Sequence, residues 1–235
     1  MKALPSFVVI ILNTYLRAYT ILVVLDFLIY RIVQLLFLFR KEDFPTPTYV
    51  FQALPDHFHS LDSLTGLDIF QCSSLKSFTK NGFPTNLTSL SIQDHNIYKA
   101  LVEWGFHKLT SLTLFWVGGC LDAESFPQGR NGNAVALPAS LIYLIIKRFP
   151  KLKYLSDNGF RNLTYLQALQ IQDCLNLKSF PERGLPSSLL KLDIEQCSLL
   201  KEECKRDKGK EWSKISHIPC VMIDKKFIYD LREED

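Results

Sequence analysis

Six cysteines have the widest chemical range in this sequence, because a thiol can ligate a metal, form a disulfide or act as a nucleophile. They lie far apart, without a CxxC pair, at Cys72, Cys120, Cys174, Cys197, Cys204 and Cys220. Zinc modules and disulfide frameworks place their cysteines closer together. The spacing therefore indicates reduced thiols, and it predicts a cytoplasmic protein without a metal site.

Other arrangements that support catalysis or cofactor binding are also missing from the sequence. His57 and His59 stand close together in DHFHS, but no third His, Cys or carboxylate follows at ligand spacing. The motifs HExxH, GxSxG, GxGxxG and GxxxxGK(S/T) do not occur. A net charge of +3 over 235 residues is too small to indicate nucleic-acid or membrane binding by itself. We expect no enzyme activity, no catalytic residue and no cofactor.

The cysteines have a different meaning once an internal repeat is recognised. Six segments align on a first leucine: LTGLDIFQCSSL at 64, LTSLSIQDHNIY at 87, LTSLTLFWVGGC at 109, LIYLIIKRFPKL at 141, LQALQIQDCLNL at 166 and LLKLDIEQCSLL at 189. Their intervals are 23, 22, 32, 25 and 23 residues, and the longest contains PQGRNGNAVALP, which we interpret as an inserted loop. The pattern LxxLxLxxN/CxL predicts leucine-rich repeats over residues 51–200.

This repeat predicts an α/β fold: a right-handed leucine-rich-repeat solenoid with a parallel β-sheet on its concave face. In LxxLxL the last two leucines are two residues apart, so both point to the same face of a short strand. We therefore expect one buried row formed by Leu67, Leu90, Leu112, Leu144, Leu169 and Leu192. The cysteine position follows the strand, where a small buried side chain fits the turn. Residues 201–235 are predicted to form a C-terminal cap and tail.

The positions between the inward leucines are predicted to face outward, where a partner would meet the sheet. Aromatic and charged side chains are the usual anchors of protein interfaces. The candidate partner-binding residues are Phe70, Phe115, Trp116, Tyr143, Lys147, Asp193 and Glu195. Two alternatives stay open: these are ordinary solvated strand residues, or Trp116 packs inside the sheet because WVGGC disturbs its register.

Residues 1–50 show no repeat, and residues 6–39 are the most apolar and are predicted to be helical. Three interpretations remain open for this segment. Thr20–Phe39 is long enough to cross a membrane, although Asp26 and Arg31 bring the free energy of insertion close to zero. Lys2 and the apolar residues that follow it resemble a signal peptide without a small-residue cleavage site. The likeness of MKALP to FQALPDHF at 51 indicates instead a translated non-coding insert.

Several lines of the sequence resemble a known family. The segments NGFRNLTYLQALQIQDCLNLKSFPERGLPSSL, KEECKRDKGKEW and HIPCVMID are similar to the C-terminal leucine-rich-repeat region of plant disease-resistance proteins of the coiled-coil, nucleotide-binding class. The resemblance covers about residues 51 to 224. It implies an innate-immune receptor module that recognises a pathogen effector or a host protein and restrains the receptor's own nucleotide-binding domain. Because no P-loop occurs, nucleotide binding is not implied for this chain.

The expected function is thus a non-catalytic protein-interaction module in the cytoplasm, with protein partners and without nucleic acid. Two alternatives follow from the first fifty residues. One is a membrane-anchored or secreted repeat receptor fragment, held at the membrane through residues 20–39. The other is a truncated gene product without a function.

Overall fold

The structure, a computed structural model, describes His59 and residues 64–70, 82–129 and 135–229. The predicted N-terminal hydrophobic segment, His57, Cys72 and the last six residues lie outside this range. No helix within the described residues is long and apolar enough to cross a bilayer.

One mostly parallel sheet of eight strands organises the described residues. Its strands, in spatial order, are β1 Gly66–Phe70, β2 Ser89–Gln93, β3 Leu114–Gly118, β5 Tyr143–Lys147, β7 Ala168–Gln172, β8 Lys191–Glu195, β9 Cys220–Ile223 and β10 Lys226–Phe227. All neighbours pair in parallel except β9 and β10, which form an antiparallel hairpin. A second, two-stranded sheet pairs β4 Ser125–Phe126 with β6 Tyr154–Leu155. The predicted parallel-sheet α/β architecture is therefore present.

Side chains alternate between a buried and an open face along each long strand, as the two-residue period of a strand requires. The burial pattern of β7 and β8 is strict: the second and fourth residues are buried and the others are half-buried. Three rows of apolar side chains run beneath the sheet. The middle row is Leu67, Leu90, Phe115, Leu144, Leu169, Leu192 and Val221, each at most 1% exposed.

The predicted register is wrong in the third segment, by three residues. Phe115, not Leu112, pairs with Leu90 on one side and Leu144 on the other. Leu112 is also buried, but it belongs to the row that precedes the strands, with Leu87 and Leu141. With Leu112 as the first leucine, the segments begin at 64, 87, 112, 141, 166 and 189, so the intervals become 23, 25, 29, 25 and 23 residues.

The extra residues before β3 form a helix, and this explains the register error. Helix α1, His95–Trp104, begins at Asp94, whose carboxylate accepts hydrogen bonds from the backbone N–H groups of Asn96 and Ile97 at 2.8 and 3.2 Å. A 3₁₀ turn at Phe106–Lys108 follows. Leu109, the leucine on which the segment was aligned, is buried at the end of that turn and lies five residues before β3 begins.

Backbone hydrogen bonds repeat before each strand and hold the segments in step. Thr88 N–H donates to the Thr65 carbonyl at 2.8 Å, and Thr113 N–H donates to the Thr88 carbonyl at 2.9 Å. The hydroxyls of Thr88 and Thr113 donate to the same two carbonyls, each at 3.0 Å. Ile142 N–H continues the series by donating to the Thr113 carbonyl at 2.8 Å. These hydrogen bonds thus tie each segment to the preceding segment just before its strand begins.

The remaining elements lie in the connections. Helix α2 spans Asp157–Phe160, helix α3 spans Ser198–Glu203, and a 3₁₀ turn spans Trp212–Lys214. Buried rings fill the space behind the middle of the sheet, contacting each other at centroid distances of 5.3 to 6.2 Å: Tyr98, Phe106, Phe115, Phe126 and Phe149. Beyond β8, Ile215, Ile218 and Val221 continue the core under β9.

Candidate functional site on the open face of the sheet

The candidate site is the face of the sheet opposite the core, which we call the open face. Three columns of residues occupy it, at the first, third and fifth positions of the strands. The first holds Gly66, Ser89, Leu114, Tyr143, Ala168, Lys191 and Cys220; the second holds Asp68, Ser91, Trp116, Ile145, Gln170, Asp193 and Met222; the third holds Phe70, Gln93, Gly118, Lys147, Gln172 and Glu195. Parallel strands place these columns side by side without gaps.

An aromatic ring and a cation meet at the centre of this face. Lys147 Nζ lies 5.2 Å from the centre of the Trp116 ring, within the distance of a cation–π contact. Gly118 stands beside Lys147 in the third column, where an added Cβ would come within 3.0 Å of the Lys147 carbonyl oxygen. Burial lowers the pKa of the Lys147 ammonium, and the carboxylates of Glu195 and Asp173 oppose that shift. This centre is both apolar and positively charged.

An acidic pair follows on β8. Burial raises the pKa of the Asp193 carboxyl, while the neighbouring Lys191 acts in the opposite direction. Glu195, two residues further along the same strand, adds a like charge that also raises this pKa. The open face therefore changes from cationic at Lys147 to acidic at β8, two strands away.

A second carboxyl group is partly buried at the β1 edge of the sheet. Burial raises the pKa of the Asp68 carboxyl, and the neighbouring Ser91 hydroxyl on β2 opposes that shift in part. Ser91 is 2% exposed and Ile145 is 8% exposed, so the second column is covered on both sides of Trp116. The Trp116 side chain is half-buried.

Five predicted candidates lie in the columns of the open face: Trp116, Tyr143, Lys147, Asp193 and Glu195. Phe70 belongs to the third column through its pairing with Gln93. The placement of Phe115 was wrong: its ring is fully buried and packs edge-to-face on Phe106 at 5.3 Å. A phenylalanine replaces the ladder leucine there, so counting leucines assigned it to the wrong face. The open-face positions of Leu114 and Gly118 were missed for the same reason.

A cluster of potential metal ligands was also missed. His95, Cys120 and Asp122 each place a ligand atom within 4.8 Å of the others. Burial raises the pKa of the Cys120 thiol to about 11, and the Lys99 ammonium lowers the pKa of the Asp122 carboxyl. The corrected register contains the signal, because Cys120 and His95 both stand eight residues after the first leucine of their segment.

Comparison with known proteins finds one relevant relative. The chain is 33% identical over 174 residues to a protein of Arabidopsis thaliana named "Putative disease resistance protein At3g14460". The match covers 74% of this chain and 12% of the Arabidopsis protein, so the chain spans about one eighth of the length of that relative. No family model matches the chain, and no solved structure matches it.

Proposed function

Because this chain is related to a plant disease resistance protein, we propose that it acts in plant defence as a non-catalytic protein-interaction module. The observation that carries the proposal is the open face itself. A parallel sheet covered by core on one side presents an aromatic ring, a cation and an acidic pair on the other. An aromatic ring is a typical anchor of protein interfaces, and charged groups around it add specificity and orientation.

The proposed architecture is a right-handed leucine-rich-repeat solenoid with the open face as its concave surface. The regular return of a parallel strand every 23 to 29 residues supports it. So do the buried residues that stand eight positions after the first leucine of three segments, Phe149, Cys174 and Cys197. In such a fold each segment buries its core only against its neighbours, and the sheet forms an extended binding surface.

The open face fits a partner surface of mixed character. Trp116 offers a half-buried aromatic ring, and a partner side chain that covers it also excludes water from the Lys147 ammonium. A partner carboxylate beside that apolar group would pair with Lys147. A partner lysine or arginine would reach Asp193 or Glu195 on β8. The cation on β5 and the carboxylates on β8 favour one orientation of the partner over the reverse.

The proposed partner is a pathogen effector or a host protein, and the nucleotide-binding domain of a receptor is a further protein partner for the same surface. The proposed location is the cytoplasm. Within the described residues five cysteines are unpaired thiols, Cys120, Cys174, Cys197, Cys204 and Cys220. Reduced thiols are the usual state in that compartment, and this supports the proposal.

A crosslinking experiment tests the proposal. The full chain, carrying a photoreactive amino acid at Tyr143, is expressed in leaves and irradiated, and the captured proteins are identified by mass spectrometry. We expect Trp116→Ala and Lys147→Glu to abolish a capture that Tyr165→Ala and Lys151→Glu leave intact. The control residues are likewise one aromatic residue and one lysine, and both are exposed and lie in turns outside the sheet.

The outcomes separate binding from folding. Each variant is first checked by circular dichroism, because loss of capture by an unfolded protein says nothing about the surface. Capture that is equal for Trp116→Ala and Tyr165→Ala would show that the open face is not the interface. Capture lost in both folded Tyr165→Ala and Lys151→Glu but kept in the open-face variants would move the interface to the turns.

A further inference from the structure

Three side chains with metal-binding atoms converge beside the sheet, away from the open face. His95 is the first residue of α1, and Cys120 and Asp122 lie in the loop that follows β3. The two segments are brought together because β2 and β3 are paired neighbours. The thiol is buried with Cys120 1% exposed, while the His95 and Asp122 side chains are 25% and 51% exposed.

The distances between the three ligand atoms form a nearly equilateral triangle. His95 Nδ1 lies 3.3 Å from Cys120 Sγ and 3.5 Å from Asp122 Oδ1, and Sγ lies 3.8 Å from Oδ1. Zinc bonds of about 2.0 Å to nitrogen and oxygen and about 2.3 Å to sulfur, at tetrahedral angles, separate the ligand atoms by about 3.3 to 3.6 Å. Each observed separation is thus within a few tenths of an ångström of the value that one ion requires.

We propose that His95, Cys120 and Asp122 form a site for a single zinc ion, with the fourth coordination position open to water or to an outside ligand. Cys120 would bind as a thiolate and release its proton to solvent, His95 through Nδ1, and Asp122 through Oδ1. One nitrogen, one sulfur and one oxygen are a ligand set that zinc accepts, and a thiolate disfavours magnesium and calcium.

A neighbouring lysine orients one of the three ligands. Lys99 Nζ donates to the other carboxylate oxygen of Asp122, Oδ2, at 2.9 Å, which leaves Oδ1 turned toward the histidine and the thiol. Such a contact orients a ligating carboxylate from outside the coordination shell. The Lys99 ammonium also repels a cation, so we expect Lys99→Met to strengthen zinc binding. If Lys99 acted only by orienting Asp122, the same substitution would weaken zinc binding. The exposed edges of His95 and Asp122 leave an entry path.

A bound ion would join the start of α1 to the loop after β3. Contacts that already cross there include the ion pair of Lys99 with Asp122 and the hydrogen bond from the Gln128 N–H to the Tyr98 hydroxyl at 3.2 Å. A ligand that binds only the folded state stabilises it by mass action. Zinc is therefore expected to raise the unfolding temperature of the chain and to protect the Cys120 thiol from alkylation.

Cobalt substitution tests the site in the full 235-residue chain, purified without a histidine tag and stripped of metal. We expect one Co²⁺ per chain, with the intense near-ultraviolet absorption of a thiolate–cobalt bond and the visible bands of a four-coordinate ion. Zinc should displace it, and a chromophoric chelator then measures the zinc affinity. Cys120→Ser should remove the near-ultraviolet band, and Asp122→Asn should weaken zinc binding at least tenfold.

A matched control exists within the chain. Asp224 is an exposed carboxylate that pairs with Lys201 at 2.6 Å. The two residues are twenty-three positions apart in the sequence, as are Asp122 and Lys99. Among the described residues, Asp224 does not belong to a cluster of potential metal ligands. Asp224→Asn should leave zinc affinity unchanged. A chain that binds no cobalt, or one whose zinc affinity survives both Cys120→Ser and Asp122→Asn, would overturn the proposal. Because Asp122 is exposed, its variant keeps the test valid if Cys120→Ser fails to fold.

Discussion

Replacing Phe115 by alanine tests which face of β3 is buried. The structure places the Phe115 ring in the core, 0% exposed, and leaves the adjacent Leu114 half-buried on the open face. The leucine pattern of the sequence predicts the opposite assignment, with Leu114 inside and Phe115 outside. In the register of the structure, Phe115→Ala should lower the free energy of unfolding more than Leu114→Ala. In the register predicted from the leucine pattern, the order is reversed.

The size of the effect follows from the burial of the ring. A phenylalanine buries about 150–250 Å², which at about 25 cal/mol per Å² corresponds to about 4–6 kcal/mol. Alanine retains a small part of this, and core Phe→Ala substitutions lower the free energy of unfolding by about 3–5 kcal/mol. The edge-to-face contact with Phe106 is lost as well. For the half-buried Leu114 we expect a loss of about 1 kcal/mol, typical of a single substitution outside the core.

Urea unfolding, followed by far-ultraviolet circular dichroism and by tryptophan fluorescence, measures both free energies of unfolding. The loss for Phe115→Ala is between roughly a fifth and all of the 5–15 kcal/mol that domains typically possess. A milder Phe115→Leu variant therefore keeps the comparison measurable if the alanine variant does not fold. A larger loss for Leu114→Ala than for Phe115→Ala would refute the register on which the middle of the open face depends.

Two further predictions concern the half-buried carboxyl group of Asp193 and the buried one of Glu211. Asp193→Asn should raise the unfolding temperature at pH 7, because burial raises the pKa of Asp193 and so disfavours its ionised form in the folded state, despite Lys191 and Lys147. The gain in unfolding temperature should shrink as the pH falls through the folded-state pKa toward 3.8, and a gain that grows in acid would contradict this reasoning. Glu211→Gln should lower the free energy of unfolding by about 1–3 kcal/mol, because the buried Glu211 carboxylate accepts a hydrogen bond from the Phe180 N–H at 2.7 Å and pairs with Lys214 at 3.0 Å. Urea unfolding measures this loss. The control is Glu202→Gln at an exposed position, which should change the free energy of unfolding by no more than about 0.5 kcal/mol.

Some features follow from the sequence because they depend on short-range alternation. The series Leu67–Ile69, Leu90–Ile92 and Leu192–Ile194 places two aliphatic residues two apart, and a strand must bury both on one face. Since the same motif recurs at nearly constant intervals, the strands were expected to pair in parallel and in register, and they do. The outward positions of Tyr143, Lys147, Asp193 and Glu195 follow from the same alternation.

Other features depend on contacts that the pattern does not contain. In LTSLTLFWVGGC two frames are equally apolar, one ending in Leu112 and Leu114 and the other in Phe115 and Val117. Pairing with β2 and β5 selects the second frame, because α1 and its 3₁₀ turn use the residues up to Lys108. β9 shows the same dependence, since Val221 and Ile223 resemble the apolar side of a cap in the sequence, and only their pairing with Leu192 and Ile194 makes them part of the sheet.

The sequence by itself determined a repeated strand with one buried and one open face, because alternation is a property of the local backbone. Only the tertiary structure decided which frame of the third segment lies inside and that Cys120 meets His95 and Asp122. Those choices depend on which neighbouring strand supplies the hydrogen bonds, and a partner in the sheet is a property of the folded chain rather than of any one segment.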